Sequence, residues 1–227
     1  MEPVVKPPKP SHFLLLVILL NVVAIAWAMT AGRHPSALMG EGKAFTHFSA
    51  IQMVLIGLLS AQVFFQRKKL TDGAWSWSSG YTIWALMAVG FIFLAIDEVS
   101  QFHENLDKWI HNGFGIRETM LTDMLDDLIV GLYGVAGLVC MWVYRREFIS
   151  YQGALWFLVL GFVFFGLMVG LDILSMKTET GETLIAVEGD PAHVLRWLGA
   201  LEEGCKVLAQ GVFIGMFYYC WYITRPD

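Results

Sequence analysis

The sequence predicts an all-α integral membrane bundle of about six transmembrane helices, with one amphipathic helix on its outer side. Three observations predict it. Of the 227 residues, 56% are hydrophobic and the mean hydropathy is +0.58, above the roughly 45–50% apolar content of soluble domains. Six apolar segments approach the ~20 residues a helix needs to cross a bilayer. They are continuous rather than alternating, so they read as helices that satisfy their own backbone in lipid and not as barrel strands. Third, acids and histidines collect where these segments end on one side. Residues 1–227 read as one transmembrane domain, with no linker or internal repeat.

The spans fall at residues 13–31, 48–65, 81–96, 128–144, 154–171 and 207–224. The first follows MEPVVKPPKP without a small-residue cleavage site, so it reads as an uncleaved span. Its Asn21 is the kind of polar residue that bonds between membrane helices. Residues 32–47 hold Gly32, Pro35, Gly40 and Gly42 and read as a loop. His47, with Ser49 and Gln52 after it, reads as a structural hydrogen-bonding group at the start of the second span. The third span runs into an amphipathic stretch, residues 97–111, which ends at Asn112-Gly113. The fourth follows Asp123, Asp126 and Asp127, and the fifth ends in Asp172. Asp190 or Pro191 opens the last helix, and Glu202, Glu203 and Lys206 precede its span. Gly166-x3-Gly170 and Gly211-x3-Gly215 are small-residue pairs that permit close helix packing. Cys140, Cys205 and Cys220 are too widely spaced for a metal or redox pair and read as apolar fillers.

Charge sets the orientation. Lys6, Lys9, Arg67, Lys68, Lys69, Arg145, Arg146 and Arg225 share one side with four acids, Glu2, Asp72, Glu147 and Asp227. The other side keeps seven bases against sixteen acids. Tight basic clusters mark cytoplasmic loops, so both termini are expected in the cytoplasm of a bacterium, with the protein in the inner membrane. Trp75, Trp77, Trp142 and Tyr144 lie near the same side, as an interfacial aromatic belt would.

The polar residues of the opposite side carry the functional expectation. With Asp97 at zero and 100° per residue, Ser100, His103, Glu104, Asp107 and His111 fall between about 240° and 340° on a helical wheel. Val99, Phe102, Leu106, Trp109 and Ile110 fall between about 120° and 220°. Only Glu98 leaves the polar stripe. Carboxylates near hydrocarbon are costly unless paired, hydrated or bound to a cation. Their repetition at the ends of several spans points to one shared cavity. Mixed carboxylate and imidazole groups suit zinc, iron or manganese. The candidate metal ligands are His103, Glu104 and Glu203. Asp97, Glu98, Asp127, Asp172 and Glu202 are further ligands or groups that orient them. The Glu-x-x-His spacing of di-metal bundle sites is not present. Glu202 and Lys206 stand four apart, in the order that favours an ion pair.

The run LAIDEVSQFHE (94–104), GLDIL around Asp172 and LEEGCK (201–206) resemble an uncharacterised family of bacterial multi-pass membrane proteins. Its members carry a Leu-x-x-Asp-Glu-x4-His-Glu-like element at the end of a span and a Glu-Glu pair opening the last one. The resemblance covers the C-terminal two-thirds and implies a membrane protein with a shared polar site, without an activity. Family members often have glutamate where Asp172 stands, so ligand reach is shorter here. The seven-span metal hydrolases of the alkaline ceramidase and adiponectin-receptor type use a His-x3-His element that this chain lacks.

Three functions are compatible with this pattern. The leading one is a membrane-embedded site with a divalent transition metal, performing hydrolytic or redox chemistry on a lipid or other apolar molecule. The alternatives are an accessory or assembly subunit of a larger membrane complex, and a proton or cation pathway. Whether the protein is an enzyme is left open by its residues. Membrane lipids and other membrane subunits are the expected partners. No motif for nucleic acid or nucleotide phosphate is present.

Overall fold

The computed structural model describes residues 9–40, 42–71, 74–115, 125–175 and 190–225, with the backbone alone at 125–127, 130 and 191. Among these residues every regular element is helical: α1 Pro10–Ala31, α2 Ala44–Leu70, α3 Thr82–Ser100, α4 Phe102–Phe114, α5 Leu125–Val143, α6 Arg145–Ile149, α7 Leu155–Ser175 and α8 Pro191–Thr224, with a 3-10 turn at Gln152–Ala154. Five of them, α1, α2, α3, α7 with its preceding turn, and α8, are long and apolar enough to cross a membrane. The described apolar part of α5, Gly131–Val143, is shorter.

Helix α8 is the axis. Asp190 caps it by accepting the Ala192 N–H at 3.0 Å, and Pro191 opens it. Proline costs nothing at this first turn, where its missing N–H has no intrahelical partner. The helix then runs unbroken to Thr224, so Glu202, Glu203 and Lys206 lie inside it, as an opening at Asp190 or Pro191 implies. It packs against α1, α2 and α7, while α2 also packs along α3. In the apolar window of α8, 67% of residues are buried, against 6% in that of α7. α7 therefore turns most of its surface outward, including Trp156, Val159, Val163, Leu167 and Ile173. An apolar helix exposed on most sides is stable in lipid and would not be in water.

The centre is filled by Ile56, Val63, Ile83, Trp84, Ile214 and Phe217, with Trp84 edge-on to Tyr151 and Phe217. Helix α1 runs antiparallel to α8: Phe13 stacks on Tyr218 at 3.8 Å, and Asn21 bonds the Val207 carbonyl at 3.0 Å. Asn21 is the interhelical contact its type predicts, since it also exchanges bonds with Gln52 of α2. Small residues make that approach possible. A Cβ at Gly211 would collide with Asn21, and one at Gly215 with Leu14. The expectation for Gly166 and Gly170 is corrected. A Cβ at either would meet nothing within 4 Å, so they mediate no close packing among the described residues.

These pairings define two ends. One holds the start of α1, the end of α2, the start of α3, the corner from α5 to α7, and the end of α8. The other holds the α1–α2 loop, the α3–α4 corner and the first turns of α5 and α8. The basic clusters sit at the first end, and the described acids other than Glu147 sit at the second. The α1–α2 loop is folded against the bundle, with Met39 buried beside Ala28, Phe45 and Ala200. Gly40 and Gly42 take positive φ there, which favours glycine. His47 is exposed and bonds to no side chain among the described residues; Ser49 and Gln52 carry the bonds instead.

Candidate functional site at the acidic end

The stretch 97–111 is not one helix. Helix α3 stops at Ser100, and Gln101 adopts a left-handed conformation, φ 51° and ψ 43°, before α4 begins. A non-glycine residue there is strained and must be held by its surroundings. Local bonds hold it. The Gln101 N–H donates to the Asp97 carbonyl at 2.7 Å, and its amide donates to Glu104 Oε1 at 2.6 Å. Asn105 donates back to the carbonyls of Ser100 and Gln101 at 3.2 and 2.9 Å. The helical wheel therefore holds within α4 but not across the corner.

Asp97 is the hinge of this corner. It is buried at the end of α3, 4% exposed. Its Oδ1 accepts the backbone N–H of His103 at 3.0 Å, and its Oδ2 pairs with His103 Nδ1 at 2.9 Å. One carboxylate thus satisfies a free N–H of the first turn of α4 and fixes the imidazole. With Nδ1–H donating to the carboxylate, Nε2 is left as the proton-accepting nitrogen, the arrangement that serves a base or a metal ligand.

The faces of α4 run opposite to those of a helix on a soluble protein. His103, Glu104 and Asp107 are half-buried and His111 is buried, while Phe102, Trp109 and Phe114 are exposed. The greasy face points away from the protein and the polar face toward it, which suits a helix lying in a membrane boundary. His111 is held differently, within its own helix. Its Nδ1 bonds the backbone carbonyl of Asp107 at 3.1 Å and lies 2.8 Å from Asp107 Oδ1, and its Nε2 is buried without a hydrogen-bond partner among the described residues.

The remaining acids pair elsewhere. Lys206 of α8 bonds Glu98 of α3 at 2.9 Å and Glu203, one turn before it, at 2.9 Å. Glu98, off the polar stripe of the wheel, is thereby the residue that ties α3 to α8. Glu104 bonds Lys108 at 3.1 Å as well as Gln101. Below the triad Gln210 donates to Ser49 at 2.8 Å, while its Oε1 is buried without a partner among the described residues.

His103, Glu104 and Glu203 are each engaged by a different neighbour. Among the described residues no group of three or more His, Cys, Asp or Glu side chains is placed to hold a metal. Glu202 is half-buried and adjacent to Glu203, hence about 100° around α8 from it. Asp172 is half-buried in the last turn of α7. The side chain of Asp127, and all of Asp123, lie outside the described residues. Lys206 supplies a cation to two of these acids, Glu98 and Glu203.

Sequence patterning missed a second cluster, at the basic end. Glu147 is 7% exposed and accepts from Arg67 Nε at 2.8 Å, Arg67 Nη2 at 3.0 Å and the Trp84 indole at 3.1 Å. The signal available was a lone acid inside the basic run Arg145-Arg146-Glu147. Nearby, burial pushes the Tyr151 phenol up to about 12, although its bond with Thr224 acts in the other direction.

Comparison with curated proteins and with solved structures gives no match. A family model does match, over residues 12–221, beyond the C-terminal two-thirds that the motifs indicate. The chain belongs to that family, described as a domain of unknown function, DUF8692.

Proposed function

We propose that this is a six-span membrane protein that uses the Asp97–His103 pair for hydrolytic acid–base chemistry on a lipid or other apolar molecule. The observation that carries the proposal is the buried carboxylate fixing Nδ1 of a half-buried imidazole at the bundle end. In that role His103 Nε2 takes a proton from water as the oxygen attacks an ester carbonyl carbon, Asp97 stabilises the resulting imidazolium, and the imidazolium returns the proton to the alcohol oxygen as its bond to that carbon breaks. The transition metal of the leading expectation would here be held by His103 Nε2 as a ligand, with Asp97 orienting the ring. The base role needs no further ligands and is preferred.

Six spans follow from counting α5 with the five longer helices. Its exposed Leu132, Val135, Leu138 and Val139 suit lipid contact. Both termini then lie with Arg67-Lys68-Lys69 and Arg145-Arg146 on the cytoplasmic side of a bacterial inner membrane. Single cysteines at Lys69 and Glu182 would label from opposite sides with an impermeant reagent; labelling from one side would refute the topology.

The chemical test is lipid turnover. Purified protein in vesicles of a bacterial lipid extract is followed by mass spectrometry, with His103→Gln and Asp97→Asn alongside. Loss of a general base lowers the rate on the order of 10²-fold or more. Full turnover by His103→Gln refutes the base role, and no turnover by wild type refutes the enzymatic reading. The accessory-subunit reading would then lead. It is favoured by α7, which packs on α8 and little else, and it predicts co-purification of a membrane partner. The apolar filling around Ile56 and Phe217 argues against a continuous ion pathway.

A further inference from the structure

We propose that the pocket between the α2–α3 loop and the α5–α6 corner binds the phosphate of an anionic membrane lipid. The pocket, about 540 Å³, is lined by Ser78, Gly80, Tyr144, Arg145, Arg146 and Glu147. Glu147 does not repel an anion there, because both its oxygens are taken by Arg67 and Trp84. The two flanking arginines then set the sign of the pocket. Arg145 is steadied by a 3.2 Å bond from Nη1 to the Trp142 carbonyl and by its guanidinium lying 4.8 Å from the Trp142 ring centre. The rest of its fork is free to donate. Arg146 is exposed and has no hydrogen bond or ion pair among the described residues. Planar guanidinium forks match phosphate oxygens in pairs, which a lysine cannot do.

The facing wall is held in place. Tyr144 donates its hydroxyl to the Trp77 carbonyl at 2.7 Å, and Ser76 and Ser78 share a bond of 2.8 Å. Thr82 donates to the Ser76 carbonyl at 3.0 Å. The setting specifies a lipid rather than a free phosphate. Val143 also lines the pocket. Val139 and Leu138 continue from it as an exposed apolar strip along α5. Trp75, Trp77 and Trp142 are exposed around the mouth, at the depth where indoles sit beside headgroups. Basic pockets between spans at this depth are suited to anionic headgroups. This inference rests on the membrane placement of the chain and is independent of the His103 chemistry.

The test is native mass spectrometry of detergent-purified protein titrated with phosphatidylglycerol or phosphatidylcholine. Phosphatidylglycerol should bind with saturation, and Arg145→Ala and Arg146→Ala should each weaken it about tenfold. Lys69→Ala, a basic change on the same side but outside the pocket, should leave binding as in wild type. Equal affinity for phosphatidylcholine, or an equal loss in Lys69→Ala, overturns the site. Glycerol phosphate, added in excess, should not displace the lipid; if it does, the ligand is a soluble phosphate and the lipid assignment fails.

Discussion

The two ends of this bundle both bury a carboxylate beside a cation, yet they differ in how completely the polar atoms are matched. At the basic end every Glu147 oxygen has a donor, and Arg67 lies fork to fork with it. At the acidic end the pairs are similar in length, but among the described residues Asp107 Oδ1, His111 Nε2 and Gln210 Oε1 are buried without hydrogen-bond partners, against Gln66 Oε1 at the basic end. A fully matched ion pair fixes geometry and leaves no group to act. Orphaned polar atoms near hydrocarbon are expensive, and their greater number at the acidic end among the described residues points to a water, a substrate or a proton that belongs there. The basic end is thus a clamp, and the acidic end is where chemistry remains available.

The largest effect should come from Lys206→Met. It leaves Glu98 and Glu203 facing each other without a cation, at 18% and 9% exposure. Breaking a buried pair by removing one partner costs about 3–5 kcal/mol, whereas replacing the whole set is nearly neutral. Denaturant titration in detergent should show that loss, and adding Glu98→Gln with Glu203→Gln should recover most of it. A single variant as stable as wild type would mean that the triad does not lock α3 to α8.

Glu147→Ala should cost less, about 2–3 kcal/mol, although it removes more hydrogen bonds. The reason is Arg67, which is 34% exposed and can be rehydrated when its partner goes. If Glu147→Ala proves more damaging than Lys206→Met, the basic end is the drier of the two and the comparison is reversed.

Between the ends, Gly211→Val should cost about 1–3 kcal/mol by forcing Asn21 and α1 away from α8. Gly166→Ala meets open space and should be neutral or stabilising by up to about 1 kcal/mol. Thermal unfolding of both variants checks the contrast. Destabilisation by Gly166→Ala would instead reveal a partner packed on α7.

The same contrast separates what the sequence makes legible from what it does not. Helix identity and membrane placement are one-dimensional properties, carried by runs such as 13–31 and by the charges that end them. Asn21 and Gly211 are legible because polar and small residues inside a span have few uses besides contact. Pairing is a three-dimensional property. Glu98 falls off the polar stripe of a wheel and still meets Lys206, because its partner stands on another helix. Glu147 reads as one more loop charge because nothing local marks Arg67 and Trp84 as neighbours. The wheel itself fails at Gln101, where a non-glycine residue takes a left-handed turn that propensity disfavours and that Asp97 and Glu104 impose.

Among the polar contacts, the smallest effect on stability belongs to the residue on which the proposed chemistry depends. His103→Gln removes the bond to Asp97 Oδ2 but leaves the backbone N–H of position 103 on Oδ1, so the start of α4 stays capped. The loss should be about 1 kcal/mol, the net worth of one ordinary hydrogen bond in a side chain that is 16% exposed. Asp97→Ala removes both bonds and should cost more. The two imidazoles can also be told apart chemically. Diethyl pyrocarbonate acylates an unprotonated ring nitrogen that it can reach. His103 has Nε2 left over and some surface, whereas the His111 side chain is 6% exposed. Peptide mapping should therefore find His103 modified well before His111, with Asp97→Asn slowing the reaction at His103 by changing which nitrogen holds the proton. If His111 reacts first, or Asp97→Asn leaves His103 unaffected, Asp97 serves only to cap α4, and the acidic end becomes a second clamp.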